Sequence, residues 1–173
     1  MTPSVVTEKT DQLLSPWSDA AAMQTMTPLL KGANRLRRAI SPSLLQCRAD
    51  NWSASSLHAD LYEVAHIYLS GVGDTQVPDE QYTLGIVAGM TFLEMKGVVE
   101  SLLLALGITV PLRVTRHAVH GSDREQSVAL YIGEHRIGFL GLIDRKANAH
   151  LKLPGDTSFA EIALTPLFAQ STL

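Results

Sequence analysis

The sequence lacks the features that cross-link a chain by disulfides or anchor it in a membrane. Its 173 residues include a single cysteine, Cys47, which excludes a disulfide within the chain. No apolar run reaches the ~18 residues that a membrane-spanning helix needs, and the first residues show no basic segment followed by an apolar core. We therefore expect a cytoplasmic protein that does not engage a membrane.

An excess of positive charge is also missing. Lysine and arginine total 14 against 17 aspartate and glutamate, for a formal net charge of -3. This balance does not favour a dedicated nucleic-acid-binding protein, because such proteins neutralise phosphates with a surplus of basic side chains. One local basic cluster could still contact phosphate or the carboxylates of a partner. It comprises Arg35, Arg37, Arg38 and Arg48.

The motifs of self-sufficient enzymes are absent as well. The sequence has no G-x-x-x-x-G-K-[ST] phosphate loop, no dinucleotide fingerprint and no G-x-S-x-G nucleophile turn. His117 and His120 lack a third ligand at the spacing of a zinc site, and we interpret Cys47 as a small core residue. We therefore assign no catalytic, cofactor-binding or metal-binding residue to this chain.

What the sequence does contain is 46% hydrophobic residues, arranged in periodic segments. The alternation in LYEVAHIYL predicts a strand over 61–69, followed by a loop and an antiparallel strand over 82–90. Apolar residues at i, i+3 and i+4 predict a helix over 93–106 that ends at Gly107. Glycine at the first position of Gly133-Glu134 predicts a type II′ hairpin between two further strands.

Shorter signals complete the pattern. Ser41 as N-cap, with Pro42 at the first helical position, predicts a helix that ends near Asp50. A strand is predicted at 112–115, a short helix at 145–150 and a last strand at 159–164. This order of elements predicts an α+β fold with a mainly antiparallel sheet.

The chain has no internal repeat or low-complexity segment that would divide it. A chain of this length buries roughly 70% of the surface that its unfolded form exposes, which is enough for one core. We expect a single domain over 27–173, with 1–26 as a peripheral N-terminal segment.

Glu63 is the carboxylate that the pattern singles out. It lies inside the apolar strand predicted over 61–69, where an unpaired charge would be costly. We therefore expect its side chain either to face solvent or to meet a specific partner. Glu63 is also our candidate for a polar residue in a binding pocket.

Several stretches resemble one family in the right order. They are TPLLKGANRLRRAISPSLLQ at 27–46, DLYEVAHIYL at 60–69, FLEMKGVVESLL at 92–103, LYIGEHRIGFLGLI at 130–143 and LPGDTSFAEIAL at 153–164. Together they resemble the beta chain of bacterial phenylalanine–tRNA ligase, over residues 27 to 168 or so. The spacing from Pro28 to Arg37, and the LKGVVE-type helix followed by an RIGFLG-type hairpin, carry the resemblance.

The resemblance implies a class II aminoacyl-tRNA synthetase fold, an antiparallel sheet flanked by helices. It implies a non-catalytic scaffold that packs on the catalytic alpha chain, within a heterotetrameric enzyme that uses ATP and magnesium to charge tRNA with phenylalanine. The beta chain of that family is much longer, so we expect this chain to be a fragment, with tRNA contacted through other parts. Whether the isolated segment forms a homodimer stays open.

The resemblance also points to site residues. Arg37 and Pro42 fall in the stretch near the subunit-facing first motif, so Arg37, Arg38 and Pro42 are the candidate subunit interface. Activating an amino acid with ATP needs cations that meet the phosphates. No arginine accompanies Glu63 in its strand, and Pro166 stands near the place of an arginine of the catalytic chain. We therefore expect no catalysis by this segment itself.

Two other functions stay open. One is a free-standing small-molecule-binding module that reuses the synthetase fold and anchors its ligand on Glu63. The other is an enzyme that uses Glu63 with a histidine for acid–base chemistry. The missing phosphate-binding arginines argue against the second.

Overall fold

A six-stranded antiparallel sheet forms the centre of the chain, in a computed structural model that describes residues 1–27, 32–54, 59–70 and 77–170. The elements in chain order are β1 Val5–Thr7, α1 Glu8–Asp11, β2 Ala33–Leu36, α2 Ser41–Ser53, β3 Leu61–Leu69, β4 Asp79–Ala88, α3 Phe92–Ala105, β5 Leu112–Arg116, β6 Ser122–Ile132, β7 His135–Ile143, α4 Arg145–Leu151, β8 Ser158–Ala163 and α5 Leu164–Phe168. Pro28 and Leu29, which carry part of the resemblance, lie outside the described residues.

The last strand lies in the middle of the sheet. The order is β3-β4-β8-β7-β6-β5, and every neighbouring pair is antiparallel. Strand β8 therefore joins the β3–β4 pair to the strands β7, β6 and β5. All of its residues are buried, as expected of a strand covered on both faces.

Helices cover both faces of the sheet and make two apolar layers. On one face, α2 and α4 pack with the N-terminal segment over residues such as Ile67, Phe139 and Phe159. On the other face, α3 and α5 pack over Leu84, Leu130 and others. The predicted α+β fold with an antiparallel sheet flanked by helices is confirmed.

The long periodic segments fold as predicted. In β3, Glu63, Ala65 and Ile67 are buried while Tyr62 and Val64 are exposed, so the alternation has its expected period of two. The predicted strand over 82–90 is β4, antiparallel to β3 as expected.

The helix predicted over 93–106 is α3. Thr91 and Glu94 form a capping box at its start, and Gly107 follows its end with a φ of 70°. Met95, Val99 and Leu103 are the side chains that it buries. The glycine turn predicted between two strands is also present, since Gly133 has a φ of 56° and links β6 to β7.

The start of α2 differs from the sequence prediction. Ile40 occupies the N-cap and Ser41 is the first helical residue, without a capping side chain of the helix itself. The helix also continues to Ser53, beyond Asp50. Its first turn lies so close to the sheet that a Cβ atom on Gly85 of β4 would stand 2.8 Å from the Cβ of Ile40. Glycine at this position therefore allows α2 to approach β4.

The expectation that residues 1–26 are peripheral is wrong. Leu14 is fully buried in the core, and the Trp17 ring packs edge-to-face on Phe139 with centroids 5.0 Å apart. Strand β1 pairs with β2 in a separate two-stranded sheet. Strands β1 and β2 and helix α5 could not be predicted from the sequence, because each is too short to show a period.

Among the described residues, no helix is long and apolar enough to cross a membrane. The longest helices, α2 and α3, instead lie against the central sheet.

Leu103 and Leu102 give a matched test of how α3 packs. Leu103 is 4% exposed in the core, whereas its neighbour Leu102 is only partly buried. Leu103→Ala should lower the free energy of unfolding by about 2–5 kcal/mol, since it leaves a cavity, and Leu102→Ala should cost less. Urea denaturation of both variants measures the difference. Equal losses would contradict the orientation of α3.

Candidate functional site

Three buried carboxyl groups hold the five residues that lead into α2. We call residues 37–41 the anchor segment. Glu63 binds Arg37, Asp11 binds Arg38, and Glu161 binds the backbone of Ile40 and Ser41. These carboxyl groups come from β3, α1 and β8, so the anchor segment ties three separate parts of the chain together.

The first pair joins the anchor segment to the inner face of β3. Arg37 Nη1 lies 3.2 Å from Glu63 Oε1, and Arg37 Nε donates to the carbonyl oxygen of His66 at 2.8 Å. The backbone N–H of Thr2 donates to the other carboxylate oxygen of Glu63 at 2.9 Å. Arg37 is 3% exposed and Glu63 is buried too. The carboxylate of Glu63 therefore has a specific partner, one of its two predicted outcomes.

The second pair has the two-pronged geometry typical of arginine and carboxylate. Arg38 Nε donates to Asp11 Oδ1 at 2.9 Å, and Arg38 Nη2 donates to Asp11 Oδ2 at 2.8 Å. Arg38 Nη1 also donates to the carbonyl oxygens of Ser18 and Ala20. One side chain thus holds α1 and the loop after it.

The third carboxyl group, Glu161, is completely buried in the central strand β8. Its Oε1 accepts hydrogen bonds from the backbone N–H groups of Ile40 at 2.8 Å and Ser41 at 2.6 Å. Its Oε2 accepts one from Trp17 Nε1 at 2.6 Å. Glu161 therefore supplies the cap that α2 lacks in its own sequence, which explains why Ser41 does not have to act as N-cap.

Burial controls the ionisation of Glu161. Loss of water around the carboxyl group raises its pKa above the ordinary 4.5, and the hydrogen bonds from Ser41, Trp17 and Ile40 act in the opposite direction. The N-terminus of α2 also favours negative charge at this point. The desolvation dominates, so the folded chain holds a proton on this group more tightly than the unfolded chain does.

These contacts correct the predicted interface. Arg37, Arg38 and Pro42 are all buried, so their side chains are not available to a partner protein. The carboxylates that pair with Arg37 and Arg38 lie within the chain itself. Both oxygens of Glu63 are engaged by Arg37 and Thr2, which leaves it ill-suited as the polar anchor of a pocket.

The predicted basic cluster does not form a surface patch either. Arg48 is buried and held by Asp60, 3.0 Å from its Nη1, and by the carbonyl oxygen of Ala59. Arg35 keeps partial exposure and pairs with Glu8 at 2.7 Å. Each arginine of the cluster has a carboxylate partner inside the chain.

An open pocket of about 500 Å³ lies beside Arg48. Its walls combine the end of α2, the start of β3 and the loops before α3 and β8; the lining residues are Arg48, Trp52, Asp60, Gly89, Met90, Thr91, Glu94, Pro154, Gly155 and Asp156. Three carboxylates line it beside a single guanidinium that is already paired. A phosphate group would meet net repulsion there.

A second, more apolar pocket of about 290 Å³ lies between the N-terminal strand and α2, next to Cys47. Burial is the main cause that raises the pKa of the Cys47 thiol above its ordinary 9.0. Since the thiolate is the reactive form, this cysteine is a poor nucleophile near neutral pH.

The two histidines considered as metal ligands have separate contacts. The His117 ring packs on Phe139 with centroids 5.0 Å apart, and His120 Nε2 lies 3.1 Å from the carbonyl oxygen of Gln12. Within the described ranges, no three His, Cys, Asp or Glu side chains are placed to hold a metal ion.

Asp11 and Glu161 were not among the residues predicted from the sequence. Glu161 could have been found by the signal that singled out Glu63, a lone carboxylate in the apolar strand SFAEIA. Asp11 gave no such signal, because it precedes Arg38 by 27 residues in a short polar turn.

The raised pKa of Glu161 predicts a pH dependence of stability. The folded state binds its proton more tightly, so the stability due to this group is full below pH 4.5 and is lost as the pH rises through the raised pKa. Glu161→Gln should lower stability most at low pH. The difference in free energy of unfolding between the variant and the unmodified chain should narrow as the pH rises. It should narrow by ~1.4 kcal/mol for each tenfold difference in proton affinity between the folded and unfolded states. Urea denaturation of both chains, from below pH 4.5 upward through the raised pKa of Glu161, measures this difference.

The control is Glu134→Gln, in the exposed hairpin turn. This variant should follow the unmodified chain at every pH. A gap for Glu161→Gln that widens with rising pH would show that the hydrogen bonds to the carboxylate outweigh its desolvation.

The Arg37–Glu63 pair predicts strong coupling. Glu63→Leu leaves the buried Arg37 guanidinium without its carboxylate and should cost about 3–5 kcal/mol of stability. Adding Arg37→Met should recover part of that loss, because no unpaired charge remains. A double-mutant cycle by chemical denaturation measures the coupling, and strictly additive effects would contradict it. The exposed pair Arg116–Glu125, 2.9 Å apart, is the matched control with little expected coupling.

Comparison with solved structures identifies the fold. A structure described as that of Desulfitobacterium hafniense PylSc, a pyrrolysyl tRNA synthetase, superposes with a TM-score of 0.67 at 16% sequence identity. The match covers 96% of this chain and 60% of that one. The chain therefore has the fold of a class II aminoacyl-tRNA synthetase.

Comparison of sequences identifies the family. This chain is 44% identical to a phenylalanine–tRNA ligase beta subunit of Rhodopirellula baltica, a match that covers all of this chain and 27% of that one. It is 28% identical to the beta subunit of Symbiobacterium thermophilum, covering 91% of this chain and 19% of that subunit. The chain thus spans about a quarter or less of these relatives.

A family model matches nearly the whole chain and gives the same family. The family is described as the phenylalanyl tRNA synthetase beta chain CLM domain, and its model matches residues 1–164. The match includes the N-terminal residues that the sequence resemblance left out. The chain belongs to the CLM domain family of the phenylalanyl-tRNA synthetase beta chain.

Proposed function

We propose that this chain is a non-catalytic module of a phenylalanine–tRNA ligase and packs on the catalytic alpha chain of that enzyme. Membership of the beta-chain family supports the assignment to phenylalanine–tRNA ligase, because the named relatives are beta subunits of that enzyme. The observation that carries the non-catalytic role is the burial of Arg37, Arg38 and Arg48, each against a carboxylate.

The chemistry of amino-acid activation explains why that observation matters. Forming an aminoacyl adenylate builds negative charge on a phosphate, which must be met by fixed cations and a metal ion. The arginines that could have met it instead connect parts of this chain. The pocket beside Arg48 has an excess of carboxylates, so it does not fit the phosphates of ATP. ATP and magnesium belong, in this proposal, to the catalytic chain.

The outer face of β3 is the surface that we propose for the alpha chain. On the face opposite Glu63 lie Tyr62, 77% exposed, together with Val64, His66 and Tyr82 of β4. The His66 and Tyr82 rings are in contact, with centroids 4.9 Å apart. Exposed aromatic side chains on a rigid edge strand are typical of interface centres. The Arg37–Glu63 pair would act here indirectly, because it fixes the inner face of the same strand.

A free-standing small-molecule module is not favoured. The relatives in the comparison are subunits of a ligase, and the polar anchor it would need, Glu63, is already engaged. Binding of tRNA is assigned to other parts of the enzyme. The net charge of -3 repels phosphate, and the paired arginines leave little positive charge to bind the phosphates of tRNA.

The proposal predicts capture of the alpha chain without activity of this chain alone. The purified chain should retain the alpha chain in a pull-down and show no ATP–pyrophosphate exchange by itself. Tyr62→Lys should weaken retention about tenfold or more, since it buries a charge at the contact. Val114→Lys, at an exposed site on the opposite edge strand β5, is the matched control and should leave retention unchanged.

Two results would overturn the proposal. ATP–pyrophosphate exchange by the purified isolated chain would make it an enzyme. Submicromolar binding of tRNA at physiological salt, with no retention of the alpha chain, would make it an RNA-binding module; a titration at two salt concentrations tests this.

A further inference from the structure

Arg48 uses only one end of its guanidinium group within this chain. Its Nη1 donates to the carbonyl oxygen of Ala59 and, at 3.0 Å, to Asp60 Oδ1. Its Nε is buried without a hydrogen-bond partner among the described residues, and Nη2 forms no hydrogen bond with them either. In Arg38 the same two atoms, Nε and Nη2, hold both carboxylate oxygens of Asp11. The edge of Arg48 that fits a carboxylate is therefore unpaired.

This unpaired edge belongs to a buried side chain at the wall of the open pocket of about 500 Å³. Arg48 is only 5% exposed, and Gly89 lines the pocket beside it. A Cβ atom on Gly89 would collide with Arg48 Nη2, so glycine here leaves room for the guanidinium. Unpaired donors on a buried charged group are costly, and an acceptor bound in the pocket would satisfy them.

The same pocket carries two exposed carboxylates with free oxygens. Asp156, in the loop before β8, forms no side-chain hydrogen bond or ion pair within the part of the chain that the structure describes. Glu94 uses only Oε2, which accepts hydrogen bonds from the backbone N–H and the hydroxyl of Thr91 at 2.8 Å each. These hydrogen bonds lower the pKa of Glu94, so its carboxylate is charged at neutral pH. Two such carboxylates attract an ammonium group.

We propose that this pocket binds a zwitterion, an α-amino acid with an apolar side chain. The carboxylate of the ligand binds the unpaired edge of Arg48, and its ammonium group binds Asp156 and Glu94. Trp52 and Met90 give the pocket an apolar wall for the side chain, and the volume lies in the range of small-molecule sites. A zwitterion carries no net charge, so the excess of carboxylates that repels a phosphate does not exclude it.

The site is separate from the other contacts that we assign. It does not include Glu63, and it is not the place where the alpha chain binds its substrates. The inference therefore does not depend on the proposed docking of the alpha chain on β3.

Calorimetric titration of the purified chain tests the chemistry of the ligand. The probes are L-leucine, L-methionine and L-phenylalanine, and at least one should bind with a Kd of about 1 mM or below. Two analogues of that amino acid are then compared, the amine that lacks the carboxylate and the acid that lacks the ammonium group. Each should bind about tenfold more weakly or worse, because it leaves one set of charges in the pocket unpaired.

Two substitutions test whether the ligand lies in this pocket. Asp156→Asn should weaken binding about tenfold, since it removes a carboxylate that binds the ammonium group, and its exposed position leaves the fold intact. Gly89→Ala should also weaken binding, because the added Cβ displaces Arg48 Nη2. Asp79→Asn is the matched control, at an exposed site at the other end of β4 and outside the pocket, and should leave binding unchanged.

Three results would overturn the inference. Absence of binding by all three probes at millimolar concentration would show that the pocket takes no amino acid. Binding that both Asp156→Asn and Gly89→Ala leave unchanged would place the ligand elsewhere on the chain. Equal binding of the amine analogue would make the pocket a site for organic cations, in which Arg48 has no role.

Discussion

The buried carboxyl group of Glu161 is the contact on which the arrangement of the chain depends. It lies in the central strand β8 and binds at once the start of α2 and the indole N–H of Trp17. Three parts of the chain that are remote in sequence therefore share one side chain. The desolvation of such a group is costly, and the hydrogen bonds from three N–H donors offset part of that cost.

Buried carboxylates also connect the rest of the anchor segment to remote parts of the chain. Arg37 and Arg38 are adjacent in sequence and point to carboxylates on different elements, Glu63 on β3 and Asp11 on α1. A buried pair adds little stability compared with apolar packing, but losing one partner leaves a buried charge. These pairs therefore specify how the N-terminal segment, α2 and the sheet fit together.

The two faces of the sheet have different characters as a result. The face under α2 is closed by the N-terminal segment, with Trp17 on Phe139 and the charged pairs around it. On the other side, α3 packs through apolar contacts and leaves Leu93 and Leu104 exposed, while the outer face of β3 presents Tyr62. The chain thus buries charged pairs and presents apolar side chains at its surface.

Elements with local periodicity could be predicted from the sequence. The alternation in β3, the helical spacing of α3 with Gly107 at its end and the turn at Gly133 depend on neighbours along the chain, so the sequence alone determined them. The family was recognisable from the same stretches.

The tertiary structure alone decided where the charges go. Arg37 and Glu63 are 26 residues apart, and Ile40 and Glu161 are 121 apart, so nothing local distinguishes a buried arginine from one on a surface patch. The same holds for the N-terminal segment, where Leu14 and Trp17 enter the core by packing on strands far along the chain. The physical reason is that the free energy of a charged side chain depends on what surrounds it in space, and residues remote in sequence provide those surroundings.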